Sequence, residues 1–296
     1  MTSLVLADLF IASLLSATLY VILKYFQRFG VYNLHGLTFN YLTAATFSYL
    51  LNFEKNNAIL HTASDFIPAT LAIGALFISV FYIAAITAQK VGIAVTSIAG
   101  KMSMVIPIIA GVVLYGDGLD MLRIAGMLVA LAAVFLSTWQ PQNTASTDSI
   151  SNRMNWLLPL LLFIGSGMVD TCIKISEHHF IDAHNQNLYF TFLFGSAGII
   201  GLLLILREYF QTGKGITLRS ILGGVILGIT NYYSLDFLIR VLAEPTMESS
   251  LAFALSNVMV VLISSAFALF LFREKLNKLN LAGIGLALIS IYILSR

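Results

Sequence analysis

The sequence predicts an all-α integral membrane protein of ten transmembrane helices, arranged as two inverted five-helix repeats. Three observations lead there: a composition too apolar for a water-facing surface, ten apolar segments of spanning length, and a turn-and-glycine pattern that occurs once in each half. Hydrophobic types make up 58% of the 296 residues and charged types 10%, and the mean hydropathy is +0.90. A soluble domain carries roughly 25% charged residues, so the apolar surplus has to face lipid. The net charge of +2 offers no electrostatic handle for nucleic acid. The single cysteine, Cys172, has no disulfide partner within the chain and no companion metal ligands, and it reads as a helix-packing residue rather than a nucleophile.

A bilayer core about 30 Å thick takes roughly 20 apolar residues as a helix. Segments 8–28, 33–53, 66–88, 92–115, 121–139, 156–175, 186–209, 218–240, 246–271 and 277–295 meet that requirement. No Lys or Arg precedes the first apolar run and no small-residue cleavage site follows it, so a membrane helix is expected there rather than a signal peptide. Linkers as short as Val91–Gly92 and Gly116–Asp120 force the helices they join to lie antiparallel and adjacent. The one long polar stretch, rich in Ser, Thr and Asn, divides the chain near its middle. The expected organisation is a first repeat at 4–139, a linker at 140–155 and a second repeat at 156–295.

The two halves match at particular residues. Tyr115-Gly116-Asp117-Gly118-Leu119 followed by Ile124-Ala125-Gly126 parallels Phe272-Arg273-Glu274-Lys275-Leu276 followed by Leu281-Ala282-Gly283. Ser16 with Lys24 parallels Ser166 with Lys174. Five spans per half is an odd number, so the second half enters the membrane from the opposite face. Transporters use such inverted repeats, because exchanging the conformations of two similar halves opens the protein to opposite sides.

Two stretches carry a family resemblance. One is Gly92 to Ser137, with Pro107 inside a span, the short turn and Ala125-Gly126. The other is Leu242 to Leu294, with Arg273-Glu274-Lys275-Leu276 and Ala282-Gly283. Each resembles the EamA repeat, and together they resemble a ten-helix member of the drug/metabolite transporter (DMT) superfamily. Asp117 and Arg273 depart from the usual Gly-Glu turn, and Asn40 stands where such proteins often carry arginine. The resemblance implies a multi-pass protein of the cytoplasmic (plasma or inner) membrane that exports small polar metabolites by alternating access. No G-x-x-x-x-G-K-[ST] phosphate loop is present, so transport is expected to be secondary.

Ionisable groups inside a span are costly, which makes each a functional candidate. Lys101 lies about nine residues into its span, near mid-depth at 1.5 Å per residue, with Ser97 one turn before it. It reads either as an anchor for a substrate carboxylate or phosphate, or as half of a permanent ion pair. Asn257 on the ninth span is at comparable depth and is, with Asn231 and Tyr232 of the eighth span, an expected substrate-binding companion; Tyr233 follows them, and the two aromatics either stack on a planar ligand or pack in a helix seam. Asp170 with Lys174 and Asp236 with Arg240 are i,i+4 pairs with the acid N-terminal. Asp170, Asp236 and Glu248 are the candidates for proton coupling or ion pairing. Asp117 and Glu274, at interfacial turns, are expected to accept backbone N–H bonds from the next helix.

The loop histidines His178, His179 and His184 lack companion ligands at a helical spacing, so no metal and no cofactor is expected. The small-residue pairs Gly126/Ala130 and Gly283/Ala287 suit close helix packing, within the chain or across a homodimer.

Lys101 favours amino acids or related carboxylate-bearing compounds as substrate. A sugar, sugar-phosphate or nucleotide-sugar carrier is the alternative, although no second mid-span basic residue helps to bind phosphate. An enzyme is not expected. Tyr115-Gly116-Asp117 is near the Gly-x-Gly-Asp element of intramembrane aspartyl proteases, but Leu114 occupies its first glycine. The expected partners are a small-molecule substrate, membrane lipid and protons, with no nucleic acid. Loop charges would put both termini outside under the positive-inside rule, whereas the resemblance implies cytoplasmic termini, which is the orientation adopted.

Overall fold

A computed structural model describes residues 3–115, 120–138, 149–179, 185–242, 244, 249–274 and 276–294. Among them there is no strand. The helices in order are α1 (Ser3–Phe29), α2 (Asn33–Leu51), α3 (Phe53–Ala58), α4 (Ile67–Lys90), α5 (Ile93–Met102), α6 (Val105–Tyr115), α7 (Met121–Thr138), α8 (Ser149–His179), α9 (Gln186–Thr212), α10 (Leu218–Leu242), α11 (Ser249–Phe270) and α12 (Lys278–Leu294). A 3-10 segment at Leu60–Asp65 follows α3. Six helical stretches are long and apolar enough to cross a membrane: Leu4–Phe29, Ile67–Lys90, Ile93–Leu114, Trp156–Ser176, Gln186–Thr212 and Leu218–Leu242. Shorter apolar helices lie at Ile124–Ser137, Leu255–Phe270 and Lys278–Leu294. Large apolar side chains such as Met121, Phe270, Phe210 and Val113 are more than three-quarters exposed. That much apolar surface suits a hydrocarbon solvent rather than water.

Of the ten predicted spans, 33–53 is a helix that falls in neither group, and 121–139, 246–271 and 277–295 fall among the shorter helices; two further elements differ in where the helix runs. The apolar run 92–115 is two helices rather than one, with a turn at Ser103–Met104. The physical cause is Pro107, which has no N–H to give to the Ser103 carbonyl. That carbonyl takes the Ile106 N–H instead, at 2.9 Å, and the helix restarts. The second difference lies in the expected linker. Residues 139–148 are outside the described residues, but Ser149–Asn155 form the first turns of α8, because no Gly or Pro stands between Ser149 and Trp156 to stop the helix.

The chain divides into two compact units. The first holds Met1–Lys24, Ile83–Met168 and Tyr233–Arg296, and the second holds Tyr25–Tyr82 and Val169–Tyr232. In the first unit α7 packs along α12, and α5 against α11 and α7. Its core gathers Ile98, Met102, Met127, Ala130, Val261 and Ala287. The α7–α12 seam is built on small residues. A Cβ on Gly126 would lie 2.8 Å from Leu294, and one on Gly283 would lie 2.7 Å from the Ser137 backbone nitrogen. Ser290 donates to the Gly126 carbonyl at 2.9 Å, and the Asn280 amide donates to the Ser137 carbonyl at 2.6 Å. The Gly126/Ala130 and Gly283/Ala287 pairs therefore serve packing within the chain.

In the second unit α2 packs along α9. Tyr41, fully buried on α2, donates its hydroxyl to the Phe77 carbonyl at 3.0 Å and lies among Phe77, Phe81 and Phe194. At the C-terminal end of α2, Asn52, Ser48 and Asn56 form a polar knot with Asn187 and Thr191 of α9. Cys172 packs half-buried beside Tyr189 and Leu193 in this unit's core, as a structural side chain.

Candidate functional site

In the first unit the candidate residues converge on the break between α5 and α6. Lys101 is the penultimate residue of α5 and is half-buried. The Ser103 hydroxyl donates to the Gly100 carbonyl at 2.6 Å. A Cβ on Gly100 would stand 3.1 Å from the Tyr20 hydroxyl, so Tyr20 of α1 lies over the turn before Lys101. On the other side, the Asn257 amide of α11 contacts the Met104 sulfur at 3.9 Å. Ser256 beside it accepts a hydrogen bond from Ser13 of α1 at 3.4 Å. Lys101, Tyr20 and Asn257 therefore share one compact unit around a discontinuous helix. Ser97 is fully buried and donates its hydroxyl to the Ala94 carbonyl at 2.9 Å. Its hydrogen is spent on its own helix.

The predicted companions Asn231 and Tyr232 on α10 belong to the second unit, and Tyr233 to the first. Asn231 is buried and donates its amide to the Asn40 side-chain oxygen at 3.3 Å. Tyr232 is buried with its ring 6.2 Å from Phe47, a packed seam rather than an open stacking platform. Asp236, in the first unit, pairs with Arg240 at 2.6 Å, and the Arg240 guanidinium lies over the Phe237 ring. Asp170 is exposed on α8 and Lys174 is half-buried. Glu248, Asp117 and His184 lie outside the described residues. Among the described residues no group of three or more His, Cys, Asp or Glu could hold a metal ion.

Glu274 requires a correction. It does not bond to the following helix. Its carboxylate accepts the Ile93 N–H at 3.1 Å, at the N-terminus of α5, and forms an ion pair with Lys24 of α1. Lys24 also lies over the Phe272 ring, 5.0 Å from its centroid. The cause is local. α5 has no side-chain cap of its own, because Gly92 precedes it at φ +128°. The positive end of α5 then recruits a carboxylate from elsewhere in the fold.

A second ionisable cluster, which sequence reasoning missed, lies in the second unit. His35 of α2 is buried at 3% exposure, and its Nε2 stands 3.8 Å from Glu208 Oε2 of α9. Tyr32 packs edge-on against His35 and hydrogen-bonds Glu208. That bond to the carboxylate is the main cause that pushes the Tyr32 hydroxyl above its ordinary pKa. The backbone N–H of Tyr32 donates to Ser220 of α10 at 3.2 Å, and the Lys214 ammonium lies 6.0 Å from the Tyr32 ring centroid. The signal was present in the sequence: His35 and Glu208 are ionisable residues one turn inside the ends of apolar runs.

An open cleft lined by Leu131, Val134, Phe135, Trp156, Leu160 and Phe163 is apolar, and none of the candidate residues lines it. It suits lipid chains better than a polar ligand.

The chain is 26% identical over 294 residues to an uncharacterized protein of Haemophilus influenzae (strain ATCC 51907 / DSM 11121 / KW20 / Rd), with 97% of each chain covered. No family model matches the chain.

Proposed function

We propose that this protein is a secondary active transporter of the EamA type, in the cytoplasmic membrane, that moves amino acids or related carboxylate-bearing metabolites by alternating access. The observation that carries the reading is Lys101 at the break of an otherwise membrane-length helix, whose neighbours in sequence, Gly100 and Met104, face Tyr20 and Asn257. A span is interrupted at membrane depth where the freed backbone is buried in protein or lines a polar cavity. Transporters place anionic substrate groups at the N-termini of such half-helices. Here the N-terminus of α6 follows Lys101 by four residues, so a helix end and an ammonium offer positive charge at one place. A lysine at mid-depth costs about 2.5–3.5 kcal/mol even on the lenient insertion scale, and an anionic ligand or water in a polar cavity offsets that cost.

The test is transport by purified protein in liposomes, screened against amino acids and sugar phosphates with and without a pH gradient. Lys101→Met is expected to abolish uptake of the carboxylate-bearing ligand while the protein still inserts. Unchanged transport and affinity in Lys101→Met would remove the anchor. Uptake confined to sugar phosphates would replace the substrate class.

A further inference from the structure

The His35–Glu208 pair has a geometry that structural packing alone does not account for. His35 is buried, and neither of its ring nitrogens has a hydrogen-bond partner among the described residues. Glu208 Oε2 is likewise buried and without one. The two groups face each other at 3.8 Å, beyond hydrogen-bond length but close enough for a small side-chain rotation to join them. Buried donors and acceptors left unpaired are costly, about 1–3 kcal/mol each. Two such groups pointing at each other mark a place where something belongs between them.

The surroundings identify it. His35 is the third residue of α2, where the positive end of the helix opposes an imidazolium. Glu208 is four residues from the end of α9, where the negative end opposes a carboxylate. Each charge alone is disfavoured by its own helix, and together they compensate. The Tyr32 hydroxyl donates to Glu208. The other ionisable groups facing the cluster are Lys214 from the α9–α10 connection, over the Tyr32 ring, and Tyr82 of α4, which acts on Tyr32. Lys214 can only donate, and the His35 ring nitrogens bond to neither group among the described residues. A neutral imidazole can turn one N–H to Glu208 Oε2; a second proton makes the ring a cation and converts that contact into an ion pair.

We propose that His35 and Glu208 form a proton-binding site, in which the imidazolium of α2 closes onto the carboxylate of α9, and that this proton is the coupling ion of transport. The coupling role rests on the transporter reading; the proton site does not. It departs from the acids that the sequence singled out, since Asp236 is already paired with Arg240.

The experiment is an NMR titration of full-length, histidine-labelled protein in detergent, with His35→Gln identifying one of the five histidines. The His35 ring is expected to pass from neutral to imidazolium as the pH falls towards 5, and to stay neutral to pH 5 in Glu208→Gln. If Glu208→Gln does not fold, Glu208→Asp withdraws the carboxylate by one methylene and is expected to move the midpoint by about half a unit or more. A His35 ring that stays neutral to pH 5 in the wild type, or titrates identically in the Glu208 variants, overturns the site. In liposomes, His35→Gln is expected to lose the response of uptake to an imposed pH gradient. Wild-type uptake that ignores the gradient overturns the coupling role alone. Absence of any uptake overturns the transporter reading, while the titration still decides the proton site.

Discussion

At the scale of single residues, the second unit depends on glycines that let α10 touch the backbone of α2. A Cβ on Gly224 would lie 2.5 Å from the Gly36 carbonyl oxygen, and one on Gly228 would lie 2.5 Å from the Asn40 carbonyl oxygen. Both contacts are with backbone, which cannot swing aside as a side chain does. Gly228→Ala is therefore expected to push α10 away from α2, stretch the Asn231–Asn40 bond and lower stability by about 1–3 kcal/mol. Thermal unfolding in detergent checks this, and a wild-type melting temperature would show that the two helices are not in backbone contact. Asn40 and Asn231 belong to the same argument. Their amide bond is worth on the order of 0.6 kcal/mol in a membrane helix pair, so it orients α10 more than it stabilises it.

At the scale of elements, the two ends of α5 are set in different ways, the first by a residue remote in sequence and the second by a nearby proline. Its N-terminus is capped by Glu274, and its C-terminus is released by Pro107. Gly92 is needed at the first of these, since φ +128° excludes a side chain and a Cβ would lie 2.6 Å from Glu274 Oε2. Gly92→Ala is expected to cost about 1–3 kcal/mol for backbone strain. Glu274→Gln leaves the largely buried Lys24 ammonium without its anion, and removing that ammonium as well, in Lys24→Met/Glu274→Gln, should recover part of the loss. The readout is the melting temperature of the four proteins of the cycle. Strictly additive losses would mean that Lys24 and Glu274 do not interact.

At the scale of the whole molecule, the two halves are divided between the compact units in the same way. Each half gives its middle portion, 25–82 or 169–232, to the second unit and its remaining portions to the first. Three helix pairs join spans that occupy equivalent places in the two halves: α2 with α9, α5 with α11, and α7 with α12. A twofold relation between the halves would produce such pairings whichever way each half enters the membrane. The inverted repeat expected from the sequence makes a topological prediction beyond them. Asn57, after the second span, and Gly215, after the seventh, are both exposed. In a chain with Cys172 replaced by Ala, Asn57→Cys and Gly215→Cys should react with a membrane-impermeant thiol reagent from opposite sides of the membrane. Labelling of both from one side would rule out inversion.

The helical, lipid-facing character of the chain was legible in composition and apolar run length, because burying backbone polar groups in hydrocarbon leaves so few solutions. The Asp236–Arg240 pair was legible for a similar reason, since i,i+4 contacts are set by helix geometry alone. Lys101 stood out because a cation at mid-span is rare. The break beside it could have been foreseen from Pro107, but a proline inside a membrane helix only bends it when neighbouring groups satisfy the freed carbonyl. The ion pair of Lys24 with Glu274, separated by most of the chain, and the His35–Glu208 gap were not readable. Local pattern determines that a helix forms and which residues are polar on it. Only the packing of α2 against α9, and of α1 and α5 against the α11–α12 turn, decides which of those polar groups meet, because that choice is made by contacts between segments far apart in sequence.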